Sequence, residues 1–184
     1  MLSFYLSLLE TEEQKSFVEQ LYTRYEQYMY KSAFGILHNR HDAEDAVHNA
    51  FMRIVKNIDN VMHIERSKIK SFIVIIIRNC AITIYRKKKK DSLYDIDDEN
   101  MPDVADTIDM EQDVLNRIER EKIRSVLNGM KEDQKHILIM RYYLDMSIEN
   151  IASSLDITYD AARKRLDRAK SSLMKALSEE YRGE

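Results

Sequence analysis

Arg163, Lys164, Arg165, Arg168 and Lys170 lie within one short run, and Asp167 is the only acid between them. Such a run on a helix supplies cations for phosphates and forked donors for guanine edges in a groove wide enough to admit a helix. A second basic run, Arg86 to Lys90, reads RKKKK. It serves either as a solvated helix end, where lysines also suit the macrodipole, or as a phosphate-contacting tail. A third cluster is acidic: Asp42, Glu44 and Asp45 precede an apolar ridge and suit a basic partner. Nothing points to covalent chemistry. The five histidines are scattered, three glycines cannot build a phosphate-cradling loop, and the single cysteine, Cys80, excludes a disulfide or a multi-cysteine zinc site. No catalytic residue, metal ligand or cofactor is therefore expected.

The elements that carry these clusters are helical. One proline and three glycines in 184 residues leave too few turns for a sandwich or barrel. The net charge of −3 argues against nucleic acid at first sight, but the charge is divided into blocks. Asp91 to Asp113 contains ten acids, no lysine or arginine, and the lone Pro102. Subtracting those ten charges leaves a body of +7. The acidic block reads as an extended linker. It separates a domain at 1–90 from another at 114–184. The fold class is thus all-α: two small helical domains joined by a flexible acidic linker at 91–113. The N-terminus lacks a basic region of a secretory signal, and the strongest apolar run, Phe72 to Ile77, is too short to cross a bilayer. Low cysteine usage fits a reducing cytoplasm, so direct membrane insertion is not expected.

In the first domain Thr11-Glu12-Glu13-Gln14 predicts a capping box. Behind it Phe17, Leu21, Tyr25, Tyr28, Ser32 and Ile36 recur at helical spacing, and the helix should end near His38-Asn39. Asp42 is read as the cap of the next helix, with Glu44 and Asp45 in its first turn. A polar stretch around Asn57 to Asn60 follows. The segment from about Ser67 to Arg86 is rich in β-branched residues. Yet Ile69, Phe72, Ile73, Ile76, Ile77, Cys80 and Ile84 share one helical face, and Lys70, Ser71, Arg78 and Asn79 fall off it. The spacing predicts a helix, with Cys80 a packing residue.

In the second domain Val114 to Met130 and Glu132 to Tyr143 are predicted helices, the first with Gly129 as its C-cap. Ser147 should cap a short helix that buries Ile148, Ile151, Ala152 and Leu155. After a three-residue turn, Asp156-Ile157-Thr158, Thr158 should cap a helix from Tyr159 to about Leu177. Two helices joined in this way form the helix-turn-helix pattern.

Three segments together resemble the extracytoplasmic-function (ECF) group of the sigma-70 family of bacterial RNA polymerase sigma factors. HDAEDAVHNAFMRIVKNI, His41 to Ile58, is similar to the polymerase-clamp-binding helix of region 2. IKSFIVIIIRNCAITIYRKKKK, Ile69 to Lys90, looks like the promoter-melting helix, with Arg78-Asn79 in the family's Arg-Asn position. IENIASSLDITYDAARKRLDRAKSSL, Ile148 to Leu173, looks like the region 4 recognition module. Departures are Phe72 where tryptophan is common, Lys131 for a helix-starting proline, and Asp156 for a turn glycine, a position where aspartate is expected to hold the left-handed conformation.

The resemblance implies a dissociable, non-enzymatic initiation subunit that binds core RNA polymerase by clamp and flap contacts and recognises the −10 and −35 elements of promoter DNA. The alternative class is a stand-alone helix-turn-helix transcription regulator. Carried onto this chain, the resemblance assigns Asp42, Glu44, Asp45, Phe51 and Arg53 to core polymerase. It assigns Asn60, His63, Lys70, Arg78, Asn79, Arg86 and Lys87 to the −10 element, with a base pocket within about Asn57 to Lys68. Tyr159, Asp160, Arg163, Lys164, Arg165 and Arg168 would face the −35 element. An anti-sigma factor is a further implied partner. The acidic linker has two further readings, a mimic of nucleic acid in the polymerase's RNA path and a shield for the basic helices in the free protein. If it shields, replacing its acids by amides will raise the free chain's affinity for duplex DNA at low salt; an unchanged affinity leaves a plain spacer.

Overall fold

The computed structural model describes residues 1–91, 123 and 125–180, which fall into two compact units. The acidic segment beyond Asp91 and the predicted helical residues 114–122 lie outside the described residues. No strand occurs among those described. The N-terminal unit contains α1 (Leu2–Ser7), α2 (Glu12–Leu37), α3 (Arg40–Lys56), α4 (Ile58–Met62) and α5 (Ile69–Asp91). In the C-terminal unit come α6 (Glu132–Leu138), a π-helical turn (Ile139–Tyr143), α7 (Ile148–Leu155) and α8 (Tyr159–Glu180).

The start of α2 is the predicted capping box. The Gln14 N–H donates to Thr11 Oγ1 at 3.1 Å, and Gln14 Oε1 accepts from the Thr11 N–H. Its buried stripe is Val18, Leu21, Tyr25, Met29, Ala33 and Ile36. The predicted Phe17, Tyr28 and Ser32 fall beside that stripe, half-buried. Both sets have helical spacing, and contact with two helices at once selects between them. His38 ends α2 in the left-handed region, φ 48°, with its N–H donating to Phe34 O at 2.8 Å.

The cap of α3 is Asn39, not Asp42. Asn39 Oδ1 accepts from the Asp42 N–H at 3.1 Å, which places Asp42 inside the first turn. Asn39 and Asp42 are equally good cap residues; the sharp reversal at His38 decides between them. Glu44 and Asp45 consequently lie one turn further on, where the helix dipole acts on them less.

α2, α3 and α5 pack mutually around one core. The β-branched run of α5 is helical, as its period implies: tertiary packing overrides propensity. Burial around α5 is wider than one face. Ser71 and Arg78, predicted to lie off the apolar face, are both buried, Arg78 to 2% exposure. A helix that packs on two neighbours is covered on more than one side. Two short helices escaped the periodicity reading. α1 packs on α2 and α3, and α4 on α2 and α3, so the stretch after Asn57 is not simply a loop.

In the C-terminal unit α6 packs against α8. The predicted helix at 132–143 changes character at Ile139. The Leu144 N–H donates to Ile139 O at 3.0 Å, five residues back, which defines a π turn. Arg141 Nη1 closes it by donating to Met146 O at 2.9 Å. Residues 125–128 are helical, and Lys135 Nζ joins them to α6 by donating to Asn128 Oδ1 at 2.7 Å. Gly129 does not adopt a positive φ, so it is not a left-handed C-cap.

Gly35 sits within α2, and a Cβ there meets nothing within 4 Å. Gly35→Ala should therefore stabilise the protein by about 0.5–1 kcal/mol through unfolded-chain entropy. Urea unfolding measures this, and a lower midpoint would contradict it.

Candidate nucleic-acid and polymerase interfaces

The helix-turn-helix is built as its residues require. Ser147 Oγ accepts from the Asn150 N–H at 3.2 Å, and Thr158 Oγ1 from the Ala161 N–H at 3.2 Å, so each helix has a side-chain cap. Between them Asp156 takes φ 58°, the expected left-handed turn. The Ile157 N–H donates to Ala152 O at 3.0 Å and closes the end of α7. Ile151, Ala152 and Leu155 are buried as predicted, while Ile148 is half-buried.

On α8 the buried side is Ala162, Leu166 and Ala169. Opposite it Tyr159, Asp160, Arg163, Lys164 and Arg168 are exposed together. Arg168 also donates from Nε to the main-chain Lys164 O at 3.2 Å, one turn back. Arg165 is half-buried, at the flank of this face rather than its centre. Lys170, midway along α8, lies over the Tyr142 ring at 5.8 Å, so its ammonium packs on an aromatic face. The face can take phosphates by its cations and a base edge by an arginine fork.

In the N-terminal unit the candidates divide by burial. Glu44 and Asp45 are exposed on α3, while Phe51 is fully buried and Arg53 partly so. Phe51 therefore supports the face from within. It stacks on Tyr5, ring centroids 5.3 Å apart, and lies 5.1 Å from Tyr22. The Tyr5 hydroxyl and His48 Nδ1 are hydrogen-bonded at 3.0 Å, fastening α1 to α3. Burial pushes the Tyr5 hydroxyl up to about 12, aided by Tyr22 and Glu26, so it stays a neutral hydrogen-bonding group. Sequence reasoning did not find this aromatic cluster, because α1 is only six residues long.

Asp42 differs from its acidic neighbours. It is buried, and its Oδ2 accepts from Lys88 Nζ at 2.6 Å. Of the predicted −10 residues, His63, Lys70, Arg86 and Lys87 are exposed, and Asn60 and Asn79 are half-buried. Asn79 Nδ2 donates to Ile75 O at 2.7 Å, within its own helix. Arg78 is buried and close enough to Tyr28 to influence that hydroxyl electrostatically. It is thus a charge inside the domain, not an outer contact surface. Val61 in α4 and Ile64 just after it are buried, so this segment is anchored on the core. Cys80 is buried, and burial pushes its thiol up to about 11, against a smaller lowering by Arg53. That makes it a packing residue, as expected. Among the described residues no histidine, cysteine and carboxylate group could hold a metal ion.

Comparison with known proteins agrees with the two-part architecture. The Sigma-70 region 2 family model matches residues 21–91, and the Sigma-70, region 4 model matches residues 120–173. The chain is 26% identical over 160 residues to the ECF RNA polymerase sigma factor SigW of Bacillus subtilis (strain 168), covering 83% of this chain and 84% of SigW. It is 25% identical over 162 residues to the RNA polymerase sigma factor YlaC of the same strain, covering 88% of this chain and 92% of YlaC. Among solved structures, the sigma factor RpoE in complex with the anti-sigma factor NepR from Bartonella quintana matches at 20% identity, with a TM-score of 0.38, over 89% of this chain and 98% of that one. The chain belongs to the sigma-70 family. It is an alternative RNA polymerase sigma factor of the ECF group.

On the exposed face of α8, Lys164 and Arg168 stand nearer the centre than Arg165. Lys164→Ala or Arg168→Ala should weaken duplex promoter binding by about 1–3 kcal/mol, and Arg165→Ala by less. Filter binding or anisotropy at fixed salt ranks the three, and a larger loss in the Arg165 variant would reverse the assignment.

Proposed function

We propose that residues 1–90 act as region 2, binding core polymerase and the −10 element, that 91–113 serve as the acidic linker, and that 114–184 act as region 4 at the −35 element. The observation that carries this reading is charge segregation on two helices of one chain. α3 presents exposed Glu44 and Asp45, and α8 presents exposed Arg163, Lys164 and Arg168. An acidic patch suits a basic protein partner and a basic helix suits DNA, so one chain can bridge the two.

Glu44 and Asp45 are the contacts proposed for the polymerase clamp, supported from beneath by Phe51, with Arg53 at the same helix. His63, Lys70, Arg86 and Lys87 are proposed for the −10 element, with Asn60 and Asn79 behind them. Opening DNA there costs unstacking, which a pocket for an extruded base offsets. The protein makes and breaks no covalent bond in this role. It works in the cytoplasm, where polymerase and promoter meet; no described helix is long and apolar enough to cross a membrane. An anti-sigma factor is the third proposed partner, as the family resemblance implies. The stand-alone regulator reading leaves the region 2 match at 21–91 without a role.

Size-exclusion of the full chain with core polymerase tests the first step. The chain should co-elute with core, and the double variant Glu44→Lys, Asp45→Lys should bind at least about tenfold more weakly. Arg163→Ala should leave this binding unchanged. Equal loss in both variants, or none in either, would sink the proposed division of labour.

A further inference from the structure

The basic tail of α5 has little apolar anchorage. Among the described side chains of α5, Ile82 is the last buried one, and from Thr83 to Lys89 each is exposed or half-buried. Over that stretch Arg86, Lys87, Lys88 and Lys89 are adjacent like charges at a helix end. Repulsion of this kind, without a buried face, favours fraying. Yet the helix continues to Asp91.

A contact from α3 reaches this tail. Lys88 Nζ donates to Asp42 Oδ2 at 2.6 Å across 46 positions of sequence. The two ends are unlike: the Asp42 side chain is 9% exposed and that of Lys88 61%. A nearly buried carboxylate needs a partner to offset its lost hydration. The lysine comes from the solvent side and remains largely hydrated while supplying it. Position adds to the fit, since Asp42 lies in the first turn of α3 and Lys88 in the last turn of α5, each favoured by its helix dipole.

We propose that the Asp42–Lys88 pair is a positioning contact that keeps the last turns of α5 folded against α3, so that Arg86 and Lys87 meet DNA phosphates as a fixed, pre-ordered pair. Asp42 is then a positioning residue for promoter DNA rather than a contact to the polymerase clamp. Lys88 is committed to Asp42, so the run holds one anchoring cation beside the exposed Arg86 and Lys87. The proposal rests on the sigma-factor reading for the identity of the DNA-bound state, though the pair's effect on the helix end does not depend on it.

The test uses the full chain with Asp42→Asn, Lys88→Met and Lys88→Arg. Three quantities are read: amide exchange over residues 86–90 in the free protein, retention by core polymerase, and the salt slope for a fork-junction DNA probe bound by the chain, alone and with core. Asp42→Asn and Lys88→Met should each speed exchange by about tenfold. Both should flatten the salt slope by about one phosphate equivalent. Lys88→Arg should restore both properties, and Asp42→Asn should leave core retention within about twofold of the parent. Unaltered exchange and slope in both loss variants would overturn the proposal. So would a loss of core retention in Asp42→Asn with exchange unaltered, because the carboxylate would then be a clamp contact. Lys88→Met changes a largely exposed side chain, so it serves if Asp42→Asn folds poorly. If the parent chain itself is not retained by core, the sigma-factor reading fails, and exchange with the slope of the free chain still decides the role of the pair.

Discussion

The N-terminal unit depends on burying α5. Its residues from Ile69 to Ile82 are covered almost all round, with Phe72, Ile73, Ile76 and Ile77 inside the packing against α2 and α3. Each such side chain contributes about 1.5–3 kcal/mol on leaving water. That packing sets the direction of α5, and with it the place where the chain's longest basic run emerges. It also fixes α3, whose buried Ala43, Ala46, Val47, Ala50, Phe51 and Ile54 leave Glu44 and Asp45 on the outer side. The acidic and basic surfaces of this unit are therefore consequences of one apolar core.

The same economy governs the C-terminal unit on a smaller scale. Small residues, Ala152 on α7 and Ala162 and Ala169 on α8, occupy buried positions, where their size permits close helix packing. Two hydroxyl caps and one left-handed aspartate then set the turn. What remains outside on α8 is cationic. Net charge hides this arrangement: a bulk value of −3 combines the acidic block between the units with basic helices on either side.

Much of this was legible in the residue pattern, for identifiable reasons. Thr11, Ser147 and Thr158 announce their helices because a cap is a local interaction among residues three apart. Asp156 was legible through the resemblance, because it stands in place of a turn glycine and aspartate tolerates a positive φ. Elsewhere the outcome turned on tertiary contacts. Asn39 and Asp42 compete for the same cap, and the chain reversal at His38 decides it. The inward turn of Asp42 depends on Lys88, 46 positions away. α1 and α4 are too short for periodicity, and they are held by Tyr5 with His48 and by Gln14 Nε2 donating to Asp59 Oδ1 at 2.9 Å. Arg78 gives no sign in one dimension that it will be buried, since its charge places it on the polar side of any helical wheel. The π turn at Ile139 depends on Arg141 reaching Met146, beyond any periodic signal.

In the proposed role the chain confers promoter choice on core polymerase through two separate surfaces. Run-off transcription from a pool of genomic fragments, with core polymerase alone and with the chain added, tests it most directly. Discrete transcripts should appear only when the chain is present and be lost on replacing Arg163, Lys164 and Arg168 by alanine, although that variant still binds core. Specific, tight duplex binding by the chain without polymerase, and no transcript with it, would contradict this role.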